Sequence, residues 1–409
     1  MRGFFAAKTQ TAPTGRLAAC GACGLSERCS SPKLPVGGTG GHPVLFVVGG
    51  PDVQDDERGR WLTGPAGRLL RSSLQAHGVE LGACLHTGAT ICHSPKPVTA
   101  ERVGHCLPNM LATLRECDPV VVVPMGQQAL RAVVGQAWGK SEVGELSRWL
   151  GYAIPAQRGN RWIVPTWDPA EVEASDHPAM RLHHEHHLQR ALQRAQRRPW
   201  RQVPDWRGDV QLEYSPTVAA AWLRDKVQRG GVVAFDYETT SLKPDYDHSR
   251  IVSCAVAWGT GPTPAETIAF PWHGDAVVAM SELLRSPLPK IAANMKFEDR
   301  WTRAILGHRV RRWVWDTMLA AHVDNQVKGV TGLKFQAFVR LGQPLWNEAV
   351  EPYFHSRPGE PNRVAEVPLA DLLRYNGLDS LLEYRLAFRQ MKAMGHDYTS
   401  ITGGGETAA

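Results

Sequence analysis

Phe235-Asp236-Tyr237-Glu238-Thr239-Thr240 follows the apolar run Gly231-Val232-Val233-Ala234, and this junction decides how the second half of the chain reads. The apolar run predicts a buried strand, and in an extended strand the side chains at i and i+2 share a face. Asp236 and Glu238 therefore converge on one side while Phe235 and Tyr237 turn to the other. Paired carboxylates suit a hard cation, but a solvated strand edge carries such a pair equally well. Two later stretches of the chain decide between the two.

Further carboxylates stand in Lys290-Ile291-Ala292-Ala293-Asn294-Met295-Lys296-Phe297-Glu298-Asp299, where a short buried strand meets a helix continuing through Trp301 and Ile305. Glu298 is thus expected near a strand's end. Tyr375-Asn376-Gly377-Leu378-Asp379 lies in a helical pattern from about Leu369 to Met391. Four residues make about one turn, so Tyr375 and Asp379 share a face. A short helix through Val218–Leu223 and strands over 250–258 and 267–271 predict a meander with Asp236 on its first strand. Asp316, in Trp315-Asp316-Thr317, reads as structural or as a helix cap.

In this order, Asp236-x-Glu238, Asn294-x-x-Phe297-Glu298 and Tyr375-x-x-x-Asp379 resemble the DEDD 3′–5′ exonucleases of the tyrosine subclass, especially the proofreading domains of family-A DNA polymerases. The likeness covers about residues 215 to 395 and implies a ribonuclease-H-like fold with a mixed sheet. It also implies two magnesium or manganese ions, with Asp236 bridging them, Glu238 and Asp379 completing the first site, and Glu298 holding the second through water. Glu298 stands where the family usually has aspartate. Tyr375 would orient the attacking water, and the substrate would be a single-stranded DNA 3′ end. Phe297 and Trp301 are candidates to stack its bases, and Arg300, Arg303, Arg309, Arg311 and Arg312 to steer its phosphates; a solvated basic face is the plain alternative for these arginines.

The whole chain has 409 residues, enough for two domains of ordinary size. It is 43% hydrophobic and 21% charged, with a formal charge of +6, a mild basic excess that permits nucleic-acid binding. No apolar run approaches the roughly 18 residues of a membrane helix, and Met1-Arg2-Gly3-Phe4-Phe5 lacks the pattern of a signal peptide. The expectation is a cytoplasmic protein without membrane contact. Eight cysteines, seven of them before residue 118, point to a metal or cluster site in the first half.

That half opens with Cys20-Gly21-Ala22-Cys23 and Cys29, and Cys92 and Cys106 come later. A pair at two-residue spacing plus distant thiolates can bind zinc or an iron–sulfur cluster. Val44–Val48 and Val120–Val123 read as buried strands, each leading into a helix, which implies a mostly parallel α/β sheet. Arg181-Leu182-His183-His184-Glu185-His186-His187-Leu188 reads as a polar helix face. His183 and His187 would share one side of it, with Arg190, Arg194, Arg197 and Arg198 behind.

Cys20-x-x-Cys23, the loop from Pro51 to Gly59, Gly64-x-Ala66-Gly67-x-Leu69-Leu70, Cys92, Cys106 and Val164-Pro165-Thr166-Trp167-Asp168-Pro169 resemble family-4 (iron–sulfur) uracil-DNA glycosylases, especially those at the front of some phage polymerases. The likeness covers roughly residues 1 to 195. It implies an α/β/α domain with a central parallel sheet and a [4Fe–4S] cluster on Cys20, Cys23, Cys92 and Cys106, with Cys29 as a substitute ligand. Three positions depart from the family pattern. Gly49 stands for a glutamate, Gly88 for the asparagine that reads the uracil edge, and Asp168 for the histidine that steadies the departing base. Gly88 cannot hydrogen-bond a flipped base. An ionised Asp168 would repel a uracil anion by several kcal/mol at about 4 Å.

The domain expectation is therefore a glycosylase-like iron–sulfur domain over 1–197, a linker over 198–214, an exonuclease domain over 215–395 and a disordered tail over 396–409. The functional expectation is an exonuclease of DNA replication or repair whose glycosylase-like domain binds DNA. The alternatives are an active uracil-DNA glycosylase joined to a trimming nuclease, and a non-catalytic assembly subunit. The sequence contains no polymerase after the last motif, which implies a separately encoded DNA polymerase as partner, in a phage or host cytoplasm.

Overall fold

A computed structural model describes residues 20–356 and 360–402; the expected tail beyond residue 402 lies outside them. The chain divides into two compact units between Gln202 and Val203, each built on its own sheet. No helix among the described residues is long and apolar enough to cross a membrane.

The first sheet has the order β2-β1-β3-β5-β4. Its strands are β1 (His42–Val48), β2 (Cys84–Gly88), β3 (Val121–Pro124), β4 (Ile154–Ala156) and β5 (Arg161–Ile163). β1 pairs in parallel with β2 and β3, β3 with β5 likewise, and only β4 runs antiparallel. Val44 through Val48 are all buried, as expected of parallel strands covered on both faces. Val44, Phe46, Val121 and Val123 pack with Leu70 and Leu74 of the Pro65–Gln75 helix and with Leu188 and Ala191 of the Pro178–Arg194 helix.

This packing changes how the histidine tract sits. His184 and His187, three residues apart, are buried on the Leu188 side of the helix, whereas His183 and His186 are exposed. Both buried rings share the hydroxyl of Thr166, each Nδ1 lying 3.1 Å from its Oγ1. Leu188 and Ala191 need the helix to turn that side inward, and the histidines go with them.

The second sheet has the order β11-β10-β7-β8-β9-β6. Its strands are β6 (Gln211–Leu212), β7 (Val232–Thr239), β8 (Ile251–Gly259), β9 (Glu266–Pro271), β10 (Lys290–Ala292) and β11 (Trp313–Asp316). The meander β7-β8-β9 is antiparallel, while β10, β11 and β6 add parallel pairs. This mixed sheet with helices on both faces is the ribonuclease-H-like architecture.

The alternation of β7 positions the acidic residues. Val233, Phe235 and Tyr237 face a core shared with Ala219, Ala220 and Leu223 of the Pro216–Arg229 helix and Ala279, Met280 and Leu283 of the Asp275–Arg285 helix. Val232 and Ala234 face the other way and pack on Tyr384, Ala387 and Met391 of the Leu369–Ala393 helix. Asp236 and Glu238 continue that second face. Gly377 lets the helix approach: a Cβ there would meet Val210 Cγ1 at 2.2 Å. That proximity offsets the roughly 0.5–1 kcal/mol that glycine costs inside a helix.

Both edges of the expected linker are structured. Arg198 pairs with Asp118 at 2.6 Å and Trp200 donates its indole N–H to Pro155 O, while Gln211–Leu212 pairs with β9. Residues 396–402 also depart from the expected tail. His396 meets Trp315, Tyr398 meets Phe388, and Thr399–Thr402 is a helical turn. The aromatic faces of Trp315 and Phe388 give this segment apolar surface to cover.

Candidate functional site

The last residues of β7, the Met295–Leu306 helix and the Leu369–Ala393 helix bring the acidic residues of the three motifs together. Asp236, Glu238 and Asp379 each offer a carboxylate oxygen lying within 4.8 Å of the others. Glu298 is 2% exposed, and its Oε2 has no hydrogen-bond partner. The Tyr237 hydroxyl lies 3.1 Å from Thr302 Oγ1. That contact ties the helix bearing Glu298 to the strand bearing Asp236 through the opposite face of β7.

Asp316 sets the start of that helix. Its carboxylate accepts the backbone N–H groups of Asn294 and Met295, both at 3.0 Å, and caps the Thr317–Asp324 helix through Met318 and Leu319. Asn294 has φ of 69°, an uncommon left-handed conformation that the two bonds hold in place.

Four residues without a role in the sequence motifs complete the site. Asn376 donates from Nδ2 to Asp236 Oδ2 at 2.7 Å, and its own Oδ1 accepts the Ser253 hydroxyl. Lys334 donates to the Tyr375 hydroxyl at 2.6 Å and to Asp379 Oδ2 at 3.1 Å. The Trp346 indole N–H reaches Asp379 Oδ1 at 2.7 Å. Glu383, one turn beyond Asp379, is buried among the same acids. Helical periodicity from Tyr375 and Asp379 could have found Asn376 and Glu383; nothing local singles out Lys334 or Trp346.

Burial, reinforced by the neighbouring carboxylates, holds Asp236, Glu238, Glu298 and Glu383 well above the usual carboxylate range. Lys334 counteracts this at Asp236 and Glu238. Burial and then Asp379 push the Tyr375 phenol well above 10, so it keeps its proton. One ammonium does not neutralise so many acids. Added divalent charge would, and an all-oxygen donor set fits magnesium or manganese.

The candidate DNA contacts divide. Trp301 is fully buried in the core and offers no stacking face; Phe297 packs against the same core. The amphipathic helix turns Trp301 inward with Glu298. Arg311 and Arg312 bond the carbonyls of Arg285 and Pro287, and Arg300 pairs with Asp245. Arg300, Arg303 and Arg309 line an exposed hollow with His308.

In the first unit, Cys20, Cys23, Cys92 and Cys106 line one pocket, and the Cys29 sulfur lies beside Cys92. The Lys33 N–H and the Asn109 amide donate to the sulfurs of Cys92 and Cys106, each at 3.3 Å. Burial pushes Cys92 up to about 12, so its thiolate requires a cationic partner. Four cysteines lining one pocket, two of whose sulfurs accept N–H donors, suit a metal or cluster.

The positions that depart from the glycosylase pattern behave differently from one another. A Cβ at Gly49 would meet only Gln128 Cβ, at 3.8 Å, whereas a Cβ at Gly88 would lie 2.4 Å from the Thr90 carbonyl and 2.7 Å from the Trp61 ring. Asp168 caps the Pro169–Ala174 helix through Ala170 N–H at 2.9 Å, and burial raises its carboxyl to about 6.

The fold and these sites define a two-part α/β protein: a glycosylase-like unit and, after it, a ribonuclease-H-like unit with a carboxylate cluster. Residues 35–200 match the uracil DNA glycosylase superfamily, so the first half carries a domain of that superfamily. The chain is 30% identical over 180 residues to DNA polymerase I of Chloroflexus aurantiacus, a match covering 43% of this chain and 19% of the polymerase. It is 28% identical over 131 residues to the type-4 uracil-DNA glycosylase of Thermotoga maritima, covering 31% of this chain and 64% of that protein. The chain thus spans less than two thirds of either relative. Among solved structures, Escherichia coli RNase D matches with 14% identity and a TM-score of 0.33, over 46% of each chain. Brucella melitensis NrnC with bound Mg2+ matches with 18% identity and a TM-score of 0.30, over 42% of this chain and 79% of that one.

Proposed function

We propose that this protein is a two-metal 3′–5′ exonuclease acting on DNA 3′ ends in replication or repair, and that its glycosylase-like domain holds DNA without excising uracil. The observation that carries the reading is the convergence of Asp236, Glu238 and Asp379 within 4.8 Å, next to the unpartnered oxygen of Glu298.

Asp236, Glu238 and Asp379 would hold the cations directly, and Glu298 would hold the second through water. Magnesium or manganese ions, when bound, would supply the charge that makes water nucleophilic and stabilises the leaving 3′ oxygen. Asn376 fixes the Asp236 carboxylate and Trp346 that of Asp379. Tyr375, its proton retained, orients the attacking water by a hydrogen bond, and Lys334 fixes the phenol from its other side.

In the first unit, Trp61 and the Thr90 carbonyl fill the space that a base-reading side chain at position 88 would use. This supports a DNA-holding role over base excision. Cys20, Cys23, Cys92 and Cys106 would hold a [4Fe–4S] cluster. A DNA polymerase is the proposed partner. Release of nucleotides from a labelled single strand tests the reading: it should need magnesium or manganese and vanish in Asp236→Ala, and equal release by both proteins would contradict it.

A further inference from the structure

The Leu369–Ala393 helix brings one more acid to the cluster than the three motifs account for. Glu383 comes after Tyr375 and Asp379 at successive four-residue steps, so the three share a stripe. It is 1% exposed. Its carboxyl lies close to the backbone N–H of Ala293, just before Asn294, and feels the charges of Asp236, Glu298 and Asp379.

Its Oε2 has no partner, and Glu298 Oε2 has none either. Among the described residues these are the two buried carboxyl oxygens left unpaired. Burying an unsatisfied polar atom costs about 1–3 kcal/mol, and a helix that needed only to pack would have an apolar residue at 383, as it does at Ala387 and Met391. The neighbouring Ser380 shows the contrast, since its hydroxyl is satisfied by Ala255 O at 2.9 Å.

We propose that Glu383 is a fifth acidic residue of the cation centre, its Oε2 accepting from the water shell of the second divalent ion beside Glu298. The inference rests on the nuclease reading. Magnesium keeps several of its waters when it binds protein, and each water carries protons for which a buried carboxyl oxygen is the natural acceptor. Such outer acceptors commonly change metal affinity by about 10- to 100-fold when removed.

The test is a manganese titration of the full chain, stripped with chelator, with free Mn2+ read by electron paramagnetic resonance. Wild type, Glu383→Gln and Asp236→Ala are compared, and the melting temperature of each is taken without metal. The expected result is that Glu383→Gln keeps its metal-free stability but binds the weaker ion about 10- to 100-fold less tightly. The magnesium concentration for half-maximal nuclease activity should rise by a similar factor. An isotherm identical to wild type overturns the role of Glu383. If Glu383→Gln does not fold, Glu383→Met, which keeps the volume without the oxygens, is read the same way. Binding weakened by Asp236→Ala but not at position 383 overturns this inference alone; binding that Asp236→Ala leaves untouched overturns the nuclease reading as well.

Discussion

Lys334 places its ammonium 2.6 Å from the hydroxyl of Tyr375 and 3.1 Å from Asp379 Oδ2. One side chain from the Leu333–Leu341 helix thus holds two of the residues on the Leu369–Ala393 helix. Its charge also lies against the rings of Tyr375 and Trp346, at 4.6 and 5.1 Å, an arrangement that keeps the phenol oriented.

Lys334→Met is expected to lower turnover by about 10- to 100-fold, since loss of orientation is costly in rate, while KM for DNA changes little. Without metal the variant should also be less stable by about 1–2 kcal/mol, because the carboxylates lose their cation, and magnesium should recover most of that loss. Steady-state kinetics and thermal melts with and without magnesium check both parts.

Gly88→Asn restores the residue type of the glycosylase pattern but not the space. Its Cβ would lie 2.4 Å from a backbone carbonyl and 2.7 Å from Trp61, so the expected outcome is a loss of about 1–3 kcal/mol from overpacking, with no uracil release. Chemical denaturation and an assay for free uracil measure the two.

Much of the second unit was legible in the sequence. Period two along Asp236 and Glu238 and one turn between Tyr375 and Asp379 are local geometry, and the structure brings these acids together. Tertiary contributions were not legible. Lys334 and Trp346 reach Asp379 from 45 and 33 residues away, a distance no periodicity spans. Trp301 read as a candidate to stack bases; the turn that buries Glu298 also buries Trp301. His184 and His187 read as polar surface because their type outweighed the apolar register of Leu188 and Ala191.

Those two histidines predict a pH dependence. Burial depresses each to about 4, against about 6.5 when unfolded. Above pH 6.5 both states are neutral and stability is unaffected. Between about 6.5 and 4 the unfolded chain takes up protons that the folded chain refuses, so stability falls as pH falls and levels off below 4. Each histidine should remove about 2 kcal/mol between pH 7 and pH 5. Urea denaturation of wild type and His184→Phe at the two pH values reads the difference, which should shrink in the variant.

Cys106 faces the pocket lined by the other cysteines, with Asn109 donating to its sulfur. Protein purified without oxygen should absorb near 400 nm, and Cys106→Ala should lose that absorbance together with stability of the first unit. A colourless wild type containing stoichiometric zinc would replace the cluster with zinc at the same thiolates.

Hydrolysis of DNA from the 3′ end by Asp236 and its neighbours is tested most directly by a time course on a 5′-labelled single strand with magnesium or manganese. Products are resolved nucleotide by nucleotide, beside those of the same strand with a blocked 3′ end. The predicted result is a ladder shortening one nucleotide at a time, abolished by Asp236→Ala, by chelator and by the blocked end. Products cut internally, shortening that proceeds on the blocked strand, or an Asp236→Ala protein as active as wild type would contradict it.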